Sequence, residues 1–336
     1  MVKRPHRPVA KAIKKLHDEK QAAKHHHRPE PKPEPEPVHK KAAQQPKPPP
    51  PPPPEPPPPP PPPPAPEPPP PPVQATTTHQ VGKLGRKTPV RTLQTMRLAV
   101  VTAKALDALG TPPPKPNNHL AGLTHKECPM LGNDLYNNSV CTGTAHLAMI
   151  RGVNIGAGVT PTQADVNNLY SAVTDPPFDP HDPSTDKGVS QITMLDYLKN
   201  TGWLGHKLKG YGSIDPTDFK HLKWAVQLSG GCRLGVNLTQ SCLDQYAKNE
   251  PWSVTSDHDV IGGTEAILVD YDPTLLYVCV WDRWRQPVTY QWIMRYCEEA
   301  HLELDFAWVK AQGSAPTGQY LRDLEARTLE AMAIGT

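Results

Sequence analysis

The chain has no run approaching the 18 or so apolar residues of a membrane-spanning helix, so none of it is expected to cross a bilayer as a helix. Its basic start is never followed by the uninterrupted apolar stretch of a secretory signal, and a soluble protein without one is expected. Cysteine is scarce, with six in 336 residues at positions 128, 141, 232, 242, 279 and 297. That number and scatter exclude a small disulfide scaffold and make a reduced compartment the default, with one or two bridges left open. There is no phosphate-binding glycine loop of either common type, and no basic patch with interleaved aromatics in the globular part. Nucleotide-dependent and sequence-specific nucleic-acid functions therefore have no support. Net charge is also nearly absent, at +3 from 36 Lys+Arg and 33 Asp+Glu.

What charge there is lies unevenly. Residues 1–45 carry 12 basic and 5 acidic side chains, a net +7, which leaves about −4 for the remainder. Within them Val9 to Leu16 spaces apolar residues helically among lysines, and His25-His26-His27 follow. A basic helix docking on an anionic partner is one reading; a solvated tail with no fixed partner is the other. The three histidines have no neighbours that would complete a metal site. Of 46 prolines, 23 fall between Pro46 and Pro72. Such a run can adopt only polyproline II, and its 27 residues would span roughly 80 Å at about 3.1 Å each. It reads as a spacer, or as a ligand for aromatic-lined grooves.

From about Gly82 the composition becomes globular. The expected organisation is a basic tail over 1–45, a proline-rich spacer over 46–80 and a lead-in with a helix over 81–118. A folded domain over 119–310 and a linker with a short helix over 311–336 follow. Helices are expected from Thr92 to Leu109, from near Ser139, after the capping signal Thr162-x-x-Asp165, from Val189 to Asn200, and from Asp215 to Leu228 before Gly230-Gly231. Strands are expected at Cys232–Leu238, Glu265–Tyr271 and Leu275–Trp281. Helices first and antiparallel strands afterwards imply an α+β fold of two lobes sharing a cleft.

The densest signal is Gly132-Asn133-Asp134-Leu135-Tyr136-Asn137-Asn138-Ser139, with His146 seven residues on. It resembles the Gly-Asn-Asp-x-Tyr-Gly-Asp-Cys turn and helix of papain-like (C1-type) cysteine-peptidase homologues of bacteria and phages. Gly262-Gly263-Thr264, Asp270-Tyr271-Asp272, Trp281 and Tyr296-Cys297-Glu298-Glu299-Ala300 resemble that group's Gly-Gly-His strand, its Gly-Tyr-Asp end, its tryptophan strand and a following helix. The resemblance covers about Lys83 to Val309. It implies a papain-like two-lobe fold, a peptide or protein segment in the cleft, no cofactor, and a cytoplasmic or virion-associated protein. It also implies that Ser139 stands at the cysteine position, Thr264 at the histidine position, and Asn133 at the oxyanion-binding amide.

Those two departures decide the chemistry expected. An imidazole–thiol ion pair gives a nucleophile ionised near neutral pH, whereas a serine without a base keeps its proton. The aligned site should be inert, making the protein a pseudopeptidase that serves as a binding or structural module. A rival assignment keeps the chemistry, with Cys141 as nucleophile, His258 as base and Asp282 orienting the imidazole, as in an active thiol peptidase or amidohydrolase. Chain order suits it, but the move from position 139 to 141 turns the nucleophile about 200° around a helix. His125-x2-Cys128 and Cys141-x4-His146 imitate zinc-finger spacing with scrambled ligands, though no finger-like hairpin separates them and no metal is expected. A Cys128–Cys141 disulfide is the alternative there. The seven tryptophans are expected mainly in the core, with Trp281-Asp282-Arg283-Trp284-Arg285 offering a cation–π surface.

Overall fold

A computed structural model describes residues 79–89 and 91–312, together with the isolated positions 322 and 326. The chain divides into two units, Met1–Pro72 and Val73–Thr336, and every described residue belongs to the second. The basic tail, all but the end of the proline-rich spacer and nearly all of the C-terminal linker lie outside the described residues.

Local chemistry sets the helix ends. Helix α1 (Leu93–Asp107) opens on Thr92, whose hydroxyl accepts from Thr95 N while Thr95 Oγ1 accepts from Thr92 N. Helix α2 runs Ser139–Asn154, and every residue from Ser139 to Gly152 is buried, so it lacks the polar face of a surface helix. The Thr162–Asp165 pair caps α3 (Gln163–Val173) reciprocally, and Ser190 caps α4 (Gln191–Asn200). Helix α5 (Phe219–Ser229) ends on Gly230 at φ 73°, the left-handed position that glycine adopts without strain.

Strands β1 (Leu208–Ile214), β2 (Cys232–Thr239), β3 (Val260–Tyr271), β4 (Leu275–Val280), β5 (Arg283–Thr289) and β6 (Cys297–Asp305) form one antiparallel sheet in the order β1-β6-β2-β3-β4-β5. Helix α6 (Gln240–Ala247) follows β2, α7 (Tyr290–Tyr296) precedes β6, and α8 (Phe306–Gln312) follows it. Three expectations are corrected here. Strand β1 interrupts the helical half and joins the sheet at an edge beside β6. The helix expected over Tyr296–Ala300 ends at Tyr296, and β6 begins at Cys297. Trp281 lies just past β4 and not within it.

Helix α2 is the shared wall of two cores. Its Val140, Cys141 and Ala145 pack with Val166, Leu169 and Met194 of the helical half. Its Leu147 and Ile150 pack on Ile267 and Val269 of β3. Charge also fastens it to the sheet: Arg151 donates to Glu303 at 2.5 Å and to Ser229 O at 2.8 Å. Arg233 of β2, fully buried, pairs with Glu265 and Glu303 and donates to Thr144 Oγ1 at 2.7 Å. Two guanidinium groups thus face two carboxyl groups in the interior, and such pairing is the condition under which buried charge is tolerated. Glycine is required at position 143, where a Cβ would come within 2.2 Å of Glu265 Oε1. Among the described residues no helix is long and apolar enough to cross a membrane.

Candidate functional site

The turn ahead of α2 is built as the sequence pattern implies: Gly132 takes φ 85°, Leu131 takes φ 50°, and Asn133, Asn138 and Ser139 are buried. Ser139 is the first residue of α2, and Thr264 lies four residues after the start of β3, opposite Val236. Neither hydroxyl has a hydrogen-bond partner, so the two do not bond each other and neither meets a base. The side chain of β3 that reaches the first turns of α2 is Glu265, beside Gly143. Burial pushes the Glu265 carboxyl up to about 8 against the pull of Arg233.

Between these two walls runs the chain's own segment. Lys83 N donates to Asn133 O at 2.6 Å, and the Asn133 amide donates back to Lys83 O at 3.3 Å. Arg86 N donates to Gly263 O at 3.1 Å, Lys87 N to Val189 O at 3.2 Å, and Val189 N to Gly85 O at 3.3 Å. Gly85 and Arg86 therefore make parallel bridges to Gly263 on the sheet side and Val189 on the helical side. The fit demands glycine: a Cβ at Gly85 would lie 2.1 Å from Asn137 O, and one at Gly188 would lie 2.0 Å from Gly85 O.

Arg86 anchors the segment. Its side chain is 1% exposed and reaches Glu298 at 2.8 Å, Glu299 at 3.1 Å and Asn237 Oδ1 at 3.0 Å. Burial raises the Glu299 carboxyl to about 7; at Glu298 burial also raises, but hydrogen bonds from Arg86 and Asn237 and the charges of Arg86 and Arg91 together lower it. At the other end Gln80 N donates to Asp282 Oδ2 at 2.8 Å and Gln80 Nε2 to Asp134 at 3.0 Å. The sequence showed this stretch only as a basic lead-in. Its signal was the Gly82-x-x-Gly85 spacing, which lets a backbone enter a narrow cleft.

The rival trio is not brought together. Cys141 is fully buried in the helical-side core, where burial holds its thiol well above the usual range, with Glu265 adding to the effect. His258 is exposed in the loop before β3. Asp282 accepts from Tyr246 OH at 2.5 Å and lies 3.3 Å from Nδ1 of His79, so the imidazole it meets is not that of His258. The zinc-like spacing fares differently. Cys128 and His146 do meet, Sγ to Nε2 at 3.1 Å, but with Cys279 at 3.3 Å from Cys128 and without His125 or Cys141. Cys128 and Cys141 are both free thiols. Burial and the neighbouring Cys279 push the Cys128 thiol up. Cys279, against burial, is pulled down to about 6 by its hydrogen bond from Cys128 and by His146. Cys279 was missed because a cysteine in the apolar run of β4 reads as core.

Trp252, Trp281, Trp292 and Trp308 are fully buried, as expected of core residues. The cation–π contacts of the 281–285 stretch are made to tyrosines, Arg283 over Tyr246 at 3.9 Å and Arg285 over Tyr277 at 4.2 Å.

No protein-family model and no curated protein sequence matches the chain. Solved structures do. Xylellain, a cysteine protease from Xylella fastidiosa, is similar over 67% of this chain and 97% of its own, at TM-score 0.47 and 11% identity. The cysteine protease and lectin-like domains of Cwp84, a surface layer associated protein of Clostridium difficile, are similar over 65% and 61%, at TM-score 0.43 and 11% identity. ProCathepsin B S9 from Trypanosoma congolense is similar over 69% and 88%, at TM-score 0.41 and 12% identity. Scores below 0.5 leave the reading of the site to its own geometry.

Proposed function

We propose that the folded unit is a papain-like module that holds an extended chain in its cleft without cleaving it, and that the chain it holds is its own segment from Val81 to Lys87. The observation that carries this reading is the pairing of Gly85 and Arg86 with both cleft walls, directly beside Asn137, while the hydroxyls of Ser139 and Thr264 lack any proton acceptor. Serine at the cysteine position needs a base to become a nucleophile, and threonine at the histidine position supplies none. Asn133 keeps its amide, but that amide is engaged by Lys83 O and Tyr136 O. Binding survives where turnover does not. The pocket of Glu298, Glu299 and Asn237 selects arginine, so a peptide or protein segment entering the cleft in place of 81–87 would carry one. The basic tail and proline-rich tract then serve to hold this module at a distance from an anionic partner.

Two measurements on the full-length protein test the reading. A thiol-directed peptide electrophile should leave the protein unlabelled, and reductant should bring no gain in peptide hydrolysis; rapid stoichiometric labelling of Cys141, lost in His258→Ala, would replace this reading with an active thiol hydrolase. Trypsin should spare the bonds after Lys83 and Arg86 while the segment is seated. Gly85→Val, which cannot fit beside Asn137, should speed cleavage there by at least about tenfold as local opening becomes cheap. Equal cleavage of both proteins at those bonds would show that the segment does not occupy the cleft in solution.

A further inference from the structure

The cluster of Cys128, His146 and Cys279 lies outside the cleft and has no part in the reading above. Its three residues come from three separate segments: the loop ahead of α2, the third turn of α2, and the end of β4. All are buried, at 2%, 2% and 1% exposure, among Leu147, Ile150, Ile267 and Val269. Their ligand-capable atoms all lie within 4.8 Å of one another. The partly buried Leu120, Leu123 and Trp284 pack over this core, and the Trp284 ring stands edge-on to His146 at 5.7 Å.

We propose that Cys128, His146 and Cys279 form a binding site for zinc, with two sulfurs and one imidazole nitrogen as ligands. Three features favour this over a chance meeting of three core residues. The donor set, two soft sulfurs with one nitrogen, suits zinc and not magnesium or calcium. The separations are close to what a tetrahedral ion needs: with Zn–S of about 2.3 Å and Zn–N of about 2.0 Å, neighbouring donors stand about 3.5–3.8 Å apart. The observed 3.1 Å and 3.3 Å open to that by shifts of about half an ångström. Finally, the pair is unbridged, since a disulfide requires about 2.05 Å between sulfurs.

Binding runs as a proton exchange. His146 Nε2 also lies 2.8 Å from Pro129 O, a contact in which Nε2 donates, so before Nε2 binds the ion the ring must give up that hydrogen bond and carry its proton on Nδ1. Each thiol that enters as a thiolate releases its proton to solvent, which makes affinity rise with pH. The two thiolates neutralise the dication, so the loaded site adds no net charge to an apolar core. A fourth ligand would have to be a small oxygen donor, the usual partner of three protein ligands.

The test uses the full-length protein, reduced and stripped with a chelator, then loaded with zinc or with cobalt(II) as a spectroscopic probe. The three histidines at 25–27 could take up zinc themselves, so the readout must report sulfur. Cobalt should give the thiolate-to-metal charge-transfer absorption that histidines cannot produce. Zinc should slow alkylation of Cys128 and Cys279 but not of Cys297, and should raise the thermal midpoint by about 5–10 °C at a hundredfold excess over Kd. The absorption should disappear in Cys279→Ser and in His146→Gln and persist when His25, His26 and His27 are all changed to alanine. A folded wild-type protein with no charge-transfer band and no zinc-dependent protection, or one purified with a Cys128–Cys279 disulfide, would overturn the assignment.

Discussion

The cleft and the cysteine–histidine cluster are opposites. At the N-terminus of α2 a positive-φ turn and the Asn133 amide stand beside the seated segment 81–87, and neither Ser139 nor Thr264 has a base within hydrogen-bond reach. Two helical turns further on, His146 meets Cys128 and Cys279, which is the right chemistry in a place that a substrate cannot reach. Residue type and residue address are separate requirements. A thiol beside an imidazole is a catalyst only where a carbonyl can arrive, and a cleft is catalytic only with a base in it.

The sharpest way to break that contrast is to restore the chemistry at the address. In a Gly85→Val background, which empties the cleft, Ser139→Cys combined with Thr264→His should raise the labelling rate by a thiol-directed electrophile about 10²–10⁴-fold. Either change alone should stay at background, because each half of an ion pair needs the other. Equal reactivity of the Ser139→Cys single variant would mean that another group serves as base there.

A second variant asks whether the wall between the two regions depends on its buried charges. Arg233→Met leaves Glu265 without its partner and Glu303 with only Arg151, and should cost about 3–5 kcal/mol in denaturant unfolding. A loss under about 1 kcal/mol would show that the carboxyls neutralise themselves by protonation instead.

The smallest effect concerns buried imidazoles that lack an anionic partner. His119 and His301 are lowered by burial to about 4 and about 3, with Arg151 and Arg233 respectively adding to it. The unfolded chain takes up these protons below about pH 6.5 while the native chain does not, so the two histidines subtract stability as pH falls from about 6.5 to 4, against the opposite contribution of the raised carboxyls Glu265 and Glu299. Each histidine should change the slope by no more than about 1 kcal/mol per pH unit. His301→Gln should flatten the slope measured by chemical denaturation. An unchanged slope would mean that His301 takes up its proton in the native state as readily as in the unfolded chain.

Much of the fold was legible because its signals are local. The Thr162–Asp165 box, Gly230 after α5 and the start of α2 at Ser139 all follow from neighbouring residues. Strand β6 was not legible, because Glu299, His301, Glu303 and Asp305 look solvated in sequence. They are inside only because Arg86, Gln191, Arg151, Arg233 and His206 come to them from distant segments. Strand β1 carries Gly210 and Gly212 and no regular alternation of burial, so period-2 reasoning had nothing to grip. The rival trio illustrates the same limit at the site: linear spacing cannot report that Cys141 faces a core and His258 faces water.

The seated segment also has a mechanical meaning. The segment precedes the first helix in sequence and lies between the two halves of the domain. Ahead of α1 the backbone is stitched to both lobes at Lys83, Gly85, Arg86 and Lys87, with the Arg86 guanidinium lodged crosswise among Glu298, Glu299 and Asn237. These bonds hold the segment at several points at once. Freeing the segment therefore means breaking contacts to both walls together, so its release is a change in the packing of the whole domain and not the fraying of a loose end.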